Sequence, residues 1–456
     1  MGVGERAVVC WFRRDLRLAD HPALTAAASR APVVPLFVHD PAFAGSGSNR
    51  VAFLHRTLDA LAAEAGGALV ERVGDPVDAV VELAGEVGAD EVHVTADFGP
   101  YGRRRDAAVA AALAARGVRL VATGSPYAVD PGTVRTKQGT PYRVFTPFSR
   151  AWRAHGWGRP LPVPASLRWE RPVRSHDRPA AAPTIDLQRW PAGEQAAWTA
   201  AERFLGGGLA AYREQRDRPD LDATSRLSPH LKVGSIHPRQ LLALVDDGPG
   251  AATFAAELCW RDFYADVLLH RPDTVWRNFT SSLDHLEWDE GPRADERFEA
   301  WASGTTGYPI VDAGMRQLLA EGWMHNRVRM IVASFLVKDL HLDWRRGARW
   351  FLDHLVDGDL ASNQHGWQWT AGTGTDAAPF FRIFNPVAQG RRFDPDGDYV
   401  RRYVPELGAV AGGAVHEPWR CDDGLFSPVG DYPAPIVDHS EERAEALLRY
   451  QRRARP

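Results

Sequence analysis

Five short apolar runs, separated by helical patterns, occupy the first 125 residues of the chain. The apolar runs are residues 6–12, Val33–His39, Ala68–Val73, Glu91–Thr95 and Val118–Ala122, and the helical patterns are residues 22–30, 50–65, 76–87 and 103–116. Strands that alternate with helices pair in parallel, because each helix carries the chain back across the sheet in a right-handed crossover. We therefore predict a doubly wound α/β domain. No GxGxxG follows the first strand, so the usual dinucleotide fingerprint is absent there.

Beyond the α/β domain, the sequence pattern predicts a proline-rich linker followed by helices. Seven prolines between residues 155 and 192 favour a long linker without regular helix or sheet. From about residue 195 onward helical periodicity dominates, in residues 196–215, 238–246, 250–270, 311–321, 326–340 and 345–356. The predicted fold class is thus α/β plus all-α, with an α/β domain at 1–130, an interdomain linker at 131–194 and a helical domain at 195–456.

Composition excludes several classes of protein. The net charge is −4 over 456 residues, so a nucleic-acid-binding surface would have to be a local basic patch. The three cysteines are far apart in the sequence, which excludes a disulfide framework and a cysteine-based zinc site, and no metal is expected. No apolar run reaches 18 residues and no signal pattern begins the chain, so we expect a cytoplasmic protein without membrane contact.

Several long motifs, in one order, resemble the DNA photolyase/cryptochrome family. They are Trp11–Leu18, Thr224–Ser228, Glu257–Tyr264, Thr306–Asp312, Gly322–Met330, Asp357–Trp369 and Phe380–Pro386. The resemblance implies an α/β antenna domain, a helical FAD-binding domain and bound FAD. It further implies a class I bacterial enzyme of the deazaflavin-antenna type, which repairs cyclobutane pyrimidine dimers by electron transfer from excited reduced FAD to a flipped-out dimer.

The flavin-site expectation begins at residues 224–232. Ser228 before Pro229 has the pattern of an N-cap, whose free backbone N–H groups can bind phosphate, although an ordinary cap is the alternative. The resemblance assigns FAD contacts to Tyr212, Thr224, Ser225, Arg226, Leu227, Ser228, Phe254, Glu257, Arg261, Asn326, Arg329, Asp357, Gly358, Asp359 and Asn363. It implies that Arg329, paired with Asp357, favours the reduced anionic flavin. The amide of Asn363 would face flavin N5, which it cannot protonate as a carboxylic acid could.

The lesion pocket is expected to have aromatic walls and a polar edge, because a dimer must leave the duplex to be reached. The resemblance makes Trp260 and Trp369 the walls, and it brings Glu257, Asn326 and Met330 to the thymine pair. Glu257 would stabilise the dimer radical anion. Phosphates around the flipped site would be gripped by Arg216, Arg226, Arg261, Arg327, Arg382 and Arg391.

Two further sites follow from the resemblance. Trp288, Trp344 and Trp367 match the tryptophan chain that carries electrons from the surface to the flavin, whereas Trp301 is interpreted as structural. Tyr101-Gly102 replaces the Asn-Glu pair of folate-binding relatives. The antenna chromophore is therefore expected to be 8-hydroxy-5-deazaflavin, with methenyltetrahydrofolate as the alternative, held by Asp97, Arg105 and Lys232.

The expected partner is UV-damaged DNA, bound by a monomer with no obligate protein partner. A cryptochrome photoreceptor is the main alternative, but plant-type receptors have Asp, and animal-type ones usually Cys, at the position of Asn363. A six-four photolyase would place histidines at Asn326 and Met330. A light-independent FAD oxidoreductase is disfavoured because the chain has no nicotinamide fingerprint.

Overall fold

The computed structural model describes residues 7–170, 174–245, 247–421 and 429–452. These residues form two compact units. The first contains the described residues of Met1–Pro183, Leu187–Ala210 and Ser225–Pro272, and the second contains those of Thr184–Asp186, Ala211–Thr224 and Asp273–Pro456. The domain boundaries at residues 130 and 194 stay predictions.

The first unit is built on a five-stranded parallel sheet. Its strands are β1 (Val8–Phe12), β2 (Val33–His39), β3 (Val70–Val73), β4 (Glu91–Val94) and β5 (Arg119–Ala122), in the order β3-β2-β1-β4-β5. The predicted doubly wound α/β fold is confirmed. Strands β1 and β2 are buried along their whole length, because helices cover both faces of such a sheet. The strand order reverses between β1 and β4, where ligands of this fold class bind at the carboxyl ends of the strands.

Eighteen α-helices lie in the described part of the chain. They are α1 (Pro22–Ala28), α2 (Ser48–Glu64), α3 (Pro76–Glu86), α4 (Pro100–Ala114), α5 (Phe145–His155), α6 (Glu194–Arg203), α7 (Tyr212–Gln215), α8 (Ser228–Val233), α9 (Pro238–Leu242), α10 (Pro249–His270), α11 (Pro292–Ser303), α12 (Pro309–Glu321), α13 (Asn326–Lys338), α14 (Trp344–His354), α15 (Leu360–Ala371), α16 (Pro386–Phe393), α17 (Asp398–Tyr403) and α18 (His439–Arg452). None of these helices is long and apolar enough to cross a membrane.

The sequence analysis missed one helix and misjudged another. Helix α5 lies inside the predicted linker at 131–194, just before the proline-rich residues 155–192 that we expected to be irregular. Its apolar residues Phe148 and Trp152 are buried, so tertiary packing stabilises a helix that is only 11 residues long. The predicted helix over 196–215 is broken after α6 by a π-helical turn at Phe204–Gly208, where three consecutive glycines disfavour regular helix.

The core of the second unit lies among α11 to α15. It contains large apolar side chains such as Met315, Phe335 and Leu336, each of which is fully buried. Gly347 of α14 has a specific packing function, because a Cβ atom there would lie 2.1 Å from Cη2 of Trp367. Helices α14 and α15 therefore approach closely at the point where α15 carries Trp367.

Candidate flavin, lesion and antenna sites

A partly buried ion pair lies at the start of α13 in the second unit. Nη2 of Arg329 donates to Oδ2 of Asp357 at 2.9 Å, and Nε of Arg329 donates to the Met324 carbonyl at 2.8 Å. The predicted pairing of Arg329 with Asp357 is present. The Asp357 side chain is only 3% exposed, and its Oδ1 has no hydrogen-bond partner among the described residues. A buried carboxylate oxygen without a donor is costly, so this atom fits a ligand that can donate a hydrogen bond.

Helix α15 supplies two further predicted residues. Asp359 is its N-cap, and its side chain accepts a hydrogen bond from the backbone N–H of Ser362 at 3.1 Å. Nδ2 of Asn363 donates to the Ala348 carbonyl at 2.9 Å and to Oε1 of Gln364 at 2.8 Å. Both amide hydrogens of Asn363 are therefore engaged, and its Oδ1 is left as an acceptor. Together with the Arg329 cation, this donor-and-acceptor set fits a flavin.

The tryptophans of the predicted electron path lie in the core of the second unit. Trp344, the first residue of α14, is fully buried, and its Nε1 donates to Oδ1 of Asn278 at 2.9 Å. Trp367 is 3% exposed and packs against Gly347, which lies one turn beyond Trp344 on α14. The Nε1 of Trp367 is buried without a described acceptor. Trp288 is partly buried against the same core.

Trp301 also contacts Trp367. The two ring centroids are 6.1 Å apart in an edge-on arrangement, and Nε1 of Trp301 donates to the Val332 carbonyl at 3.0 Å. Trp301 is fully buried, as Trp344 is, so burial does not distinguish a structural tryptophan from a member of the electron path. The division of roles among these tryptophans stays a prediction.

The predicted lesion-stacking residue of the first unit is Trp260, on α10. One face of its indole ring is covered by Phe145, with centroids 3.7 Å apart and ring planes 6° apart. Tyr264, one turn further along α10, lies at 5.2 Å. Sequence reasoning missed Phe145, although Phe145, Phe148 and Trp152 follow helical spacing within the supposed linker.

Other predicted residues on and near α10 have structural contacts. Phe254 packs against Phe204 at a centroid distance of 4.9 Å. Arg261 donates to the carbonyls of Pro126 and Leu231 at 2.7 and 3.0 Å, and its guanidinium lies 4.6 Å from the centre of the Tyr127 ring. Its contact with DNA stays a prediction, and so does the role of Glu257.

The stretch before α8 departs from one expectation. Leu227 is the N-cap of α8 and Ser228 is the first helical residue, so the predicted N-cap was wrong by one position. Arg226 has a φ of 51°, in the left-handed region, and Oγ of Ser225 accepts a hydrogen bond from the Leu227 N–H at 3.4 Å. After the turn at Arg226, α8 begins one residue earlier than it would if Ser228 were its N-cap.

Several arginines of the expected phosphate rim are engaged with acidic residues of the second unit. Arg327 pairs with Asp217 at 2.8 Å, Arg216 lies 3.9 Å from the same carboxylate group, and Arg391 pairs with Glu417. Each pair reduces the positive charge that could attract a phosphate. The DNA contacts of these arginines stay predictions.

An exposed basic segment lies elsewhere, in the first unit. Residues 131–159 contain six arginines and lysines and no aspartate or glutamate. All six are exposed, and they are Arg135, Lys137, Arg143, Arg150, Arg153 and Arg159. Within the described chain, Lys137, Arg150 and Arg159 form no ion pair. This is the kind of local basic patch that the net charge of −4 requires of a DNA-binding protein.

The expected antenna residues Asp97 and Arg105 neutralise each other. Their side chains form an ion pair at 3.2 Å, and Arg105 also pairs with Asp106 at 2.9 Å. Burial would raise the pKa of Asp97, but attraction by Arg14, Arg13 and Arg105 outweighs it and lowers that pKa. The cavity beside Asp97 measures about 10 Å³, enough for roughly one water molecule. The antenna roles of Asp97, Arg105 and Lys232 stay predictions.

Comparison with known proteins identifies the family of this chain. The family model described as DNA photolyase matches residues 8–165, and that described as the FAD binding domain of DNA photolyase matches residues 254–452. The chain is 45% identical to a Streptomyces griseus protein named deoxyribodipyrimidine photo-lyase, over 96% of this chain and 97% of that protein. A Synechocystis cryptochrome structure is 27% identical, with a TM-score of 0.88, and the match covers 98% of this chain and 100% of that one.

One solved structure corrects the expected class. The crystal structure of a bacterial class III photolyase from Agrobacterium tumefaciens is 39% identical, with a TM-score of 0.95, and the match covers 100% of this chain and 99% of that one. This similarity conflicts with the class I subtype and with the deazaflavin-antenna type. The motifs behind that expectation lie mostly in the helical half and indicate the family rather than the class. From its two family matches and its full-length relatives, the chain belongs to the DNA photolyase/cryptochrome family.

Proposed function

We propose that this chain is a deoxyribodipyrimidine photo-lyase, an enzyme that uses light and FAD to split cyclobutane pyrimidine dimers in DNA. The observation that carries the proposal is the match of nearly the whole chain to a protein of that name at 45% identity. Residues of the second unit support the proposal because they can bind FAD.

Bound FAD would supply the excited-state electron that splits the dimer. Arg329 would stabilise a negatively charged flavin, and Asp357 would hold Arg329 in place while offering Oδ1 to a flavin donor. Asn363 would present its Oδ1 to the hydrogen on N5, because its own amide hydrogens are already engaged. The further FAD contacts proposed from the family motifs are Tyr212, Thr224, Ser225, Arg226, Leu227, Ser228, Phe254, Glu257, Arg261, Asn326, Gly358 and Asp359.

Trp260 and Trp369 would stack on the flipped-out pyrimidines, and stacking of this kind contributes roughly 1–3 kcal/mol per base. Both side chains are only partly buried, so each has ring surface that a base could cover. Glu257, Asn326 and Met330 would contact the edges of the bases. A carboxylate or amide can hydrogen-bond to a base edge, which an aromatic wall cannot do.

The test of the proposed function is light-dependent repair. Reduced protein is incubated with an oligonucleotide that contains one thymine dimer, in the dark and under blue light, and the remaining dimer is measured by chromatography. We expect binding in both conditions and repair only under light. Dimers that persist under light, although FAD is bound and reduced, would contradict the proposal and favour the cryptochrome alternative.

The exposed basic segment at 131–159 predicts a salt-dependent contact with DNA phosphates. The double variant Lys137→Ser/Arg150→Ser should bind damaged and undamaged duplexes more weakly to the same extent. For each phosphate that the variant no longer neutralises, the slope of log affinity against log salt should fall by about one. Arg116→Ser, which removes an exposed arginine just beyond α4, is the matched control. An unchanged slope in the double variant would exclude the segment from the DNA-binding surface.

We also infer that the protein carries a second, light-harvesting chromophore, as members of its family do. Methenyltetrahydrofolate is the candidate that remains from the sequence analysis. Protein reconstituted with this folate should gain a near-ultraviolet band and should repair faster per photon absorbed there. Failure to bind the folate would eliminate this candidate and leave the FAD proposal untouched. Cytoplasmic location and a monomeric state without an obligate protein partner stay predictions.

A further inference from the structure

Helices α5 and α10 of the first unit are joined by buried aromatic contacts. Phe148 and Phe263 are 2% and 0% exposed, and their ring centroids are 5.0 Å apart. Nε1 of Trp152 donates to Oδ2 of Asp262 at 2.9 Å, and that oxygen also accepts the Val129 N–H at 3.0 Å. The start of α5 is therefore held in a defined position beside α10.

Phe145, the first residue of α5, lies at the partly exposed end of this contact. Its ring is stacked on Trp260 at 3.7 Å with 6° between the planes, and it meets Phe263 edge-on at 5.8 Å. A parallel ring this close restricts rotation of the indole about its own side-chain bonds. It covers one face of Trp260, whose side chain is only partly buried and therefore keeps ring surface for another flat partner.

Resting on the proposed function, we propose that Phe145 is a positioning residue for lesion binding. It holds the Trp260 ring in the orientation in which the uncovered face stacks on a flipped-out pyrimidine dimer. An aromatic ring that is already immobilised loses less conformational freedom when a ligand stacks on it. Phe145 acts through Trp260 and need not touch the dimer itself.

The first measurement compares dissociation constants for dimer-containing and undamaged duplexes of one sequence, in the dark, by fluorescence anisotropy. Phe145→Leu should weaken binding of the dimer duplex by about three- to tenfold, the range expected for loss of one aromatic pair. It should leave binding of the undamaged duplex and the FAD content within about twofold of the starting protein. Phe145→Tyr should restore dimer binding, because a tyrosine ring can stack in the same way. Phe43→Leu, which removes an exposed ring that contacts Tyr101 instead, is the control.

The second measurement is a double-mutant cycle with Trp260→Ala. Phe145→Leu should cause no additional loss of dimer binding in that background, since a positioning residue has no effect without the ring it positions. Additive losses would overturn the inference, and so would equal weakening of damaged and undamaged duplexes. If the unaltered protein itself shows no preference for the dimer duplex, the proposed function has failed. If that preference exists and Phe145→Leu does not change it, only the role of Phe145 has failed.

Discussion

Replacement of Trp367 by phenylalanine is expected to block photoreduction of oxidised FAD. A phenyl ring is far harder to oxidise than an indole, and each 1.4 kcal/mol added to a barrier slows a step about tenfold. We expect the photoreduction rate to fall below about one hundredth of its starting value. The measurement is the loss of flavin absorbance under blue light with an external reductant present. Repair by chemically reduced protein should remain, because the tryptophan path serves only to reduce the flavin.

The surroundings of Trp367 support this expectation. Its Nε1 is buried without a described acceptor, so an oxidised indole cannot readily lose its proton and instead takes an electron from a neighbouring tryptophan. The close approach to Gly347 places Trp367 beside the first turn of α14, which begins at Trp344. Trp301→Phe is the matched control and should photoreduce normally. If Trp301→Phe is the slower variant, the path runs through Trp301.

Removal of the Asp357 carboxylate should cause a large loss of bound FAD from the protein. Asp357→Ala leaves Arg329 without its carboxylate partner and deletes Oδ1, a buried acceptor that no described residue satisfies. Hydrogen bonds to charged groups contribute about 1.5–3 kcal/mol, so FAD affinity should fall by roughly 10- to 150-fold. The ratio of flavin to protein absorbance after purification measures the effect. Asp353→Ala, at an exposed carboxylate of α14, should keep its FAD, and full FAD content in Asp357→Ala would remove Asp357 from the flavin site.

The two halves of the fold were predictable for different reasons. The two central strands β1 and β2 are short runs of mostly β-branched and other apolar residues, and β2 begins and ends where the sequence pattern indicated. Long helical patterns likewise indicated α10, α12 and α13. The sequence motifs also indicated the family, because several of them occur in one order along one chain.

Charge neutralisation could not be predicted, because it depends on which side chains meet. The sequence shows that Asp97 and Arg105 are eight positions apart. Only the folded structure shows that Arg105, on α4, donates a hydrogen bond to the Asp97 carboxylate, so that the two opposite charges are paired. The same holds for Arg327, whose partner Asp217 is 110 positions away. An ion pair between distant residues leaves no periodic trace in the sequence.

What the sequence by itself determined is the alternation of strands and helices, which follows from local pattern, and the family, which follows from motifs; the ion pair of Arg329 with Asp357 was expected only because the family resemblance implied it. Only the tertiary structure decided that Phe145 stacks on Trp260 and that Gly347 admits the ring of Trp367. The physical reason is that packing depends on the distance in space between side chains. Phe145 and Trp260 are more than 100 positions apart in the sequence, and Gly347 and Trp367 are 20 positions apart. Hydrophobic periodicity reports which face of a helix is buried, but it carries no information about which ring that face will meet.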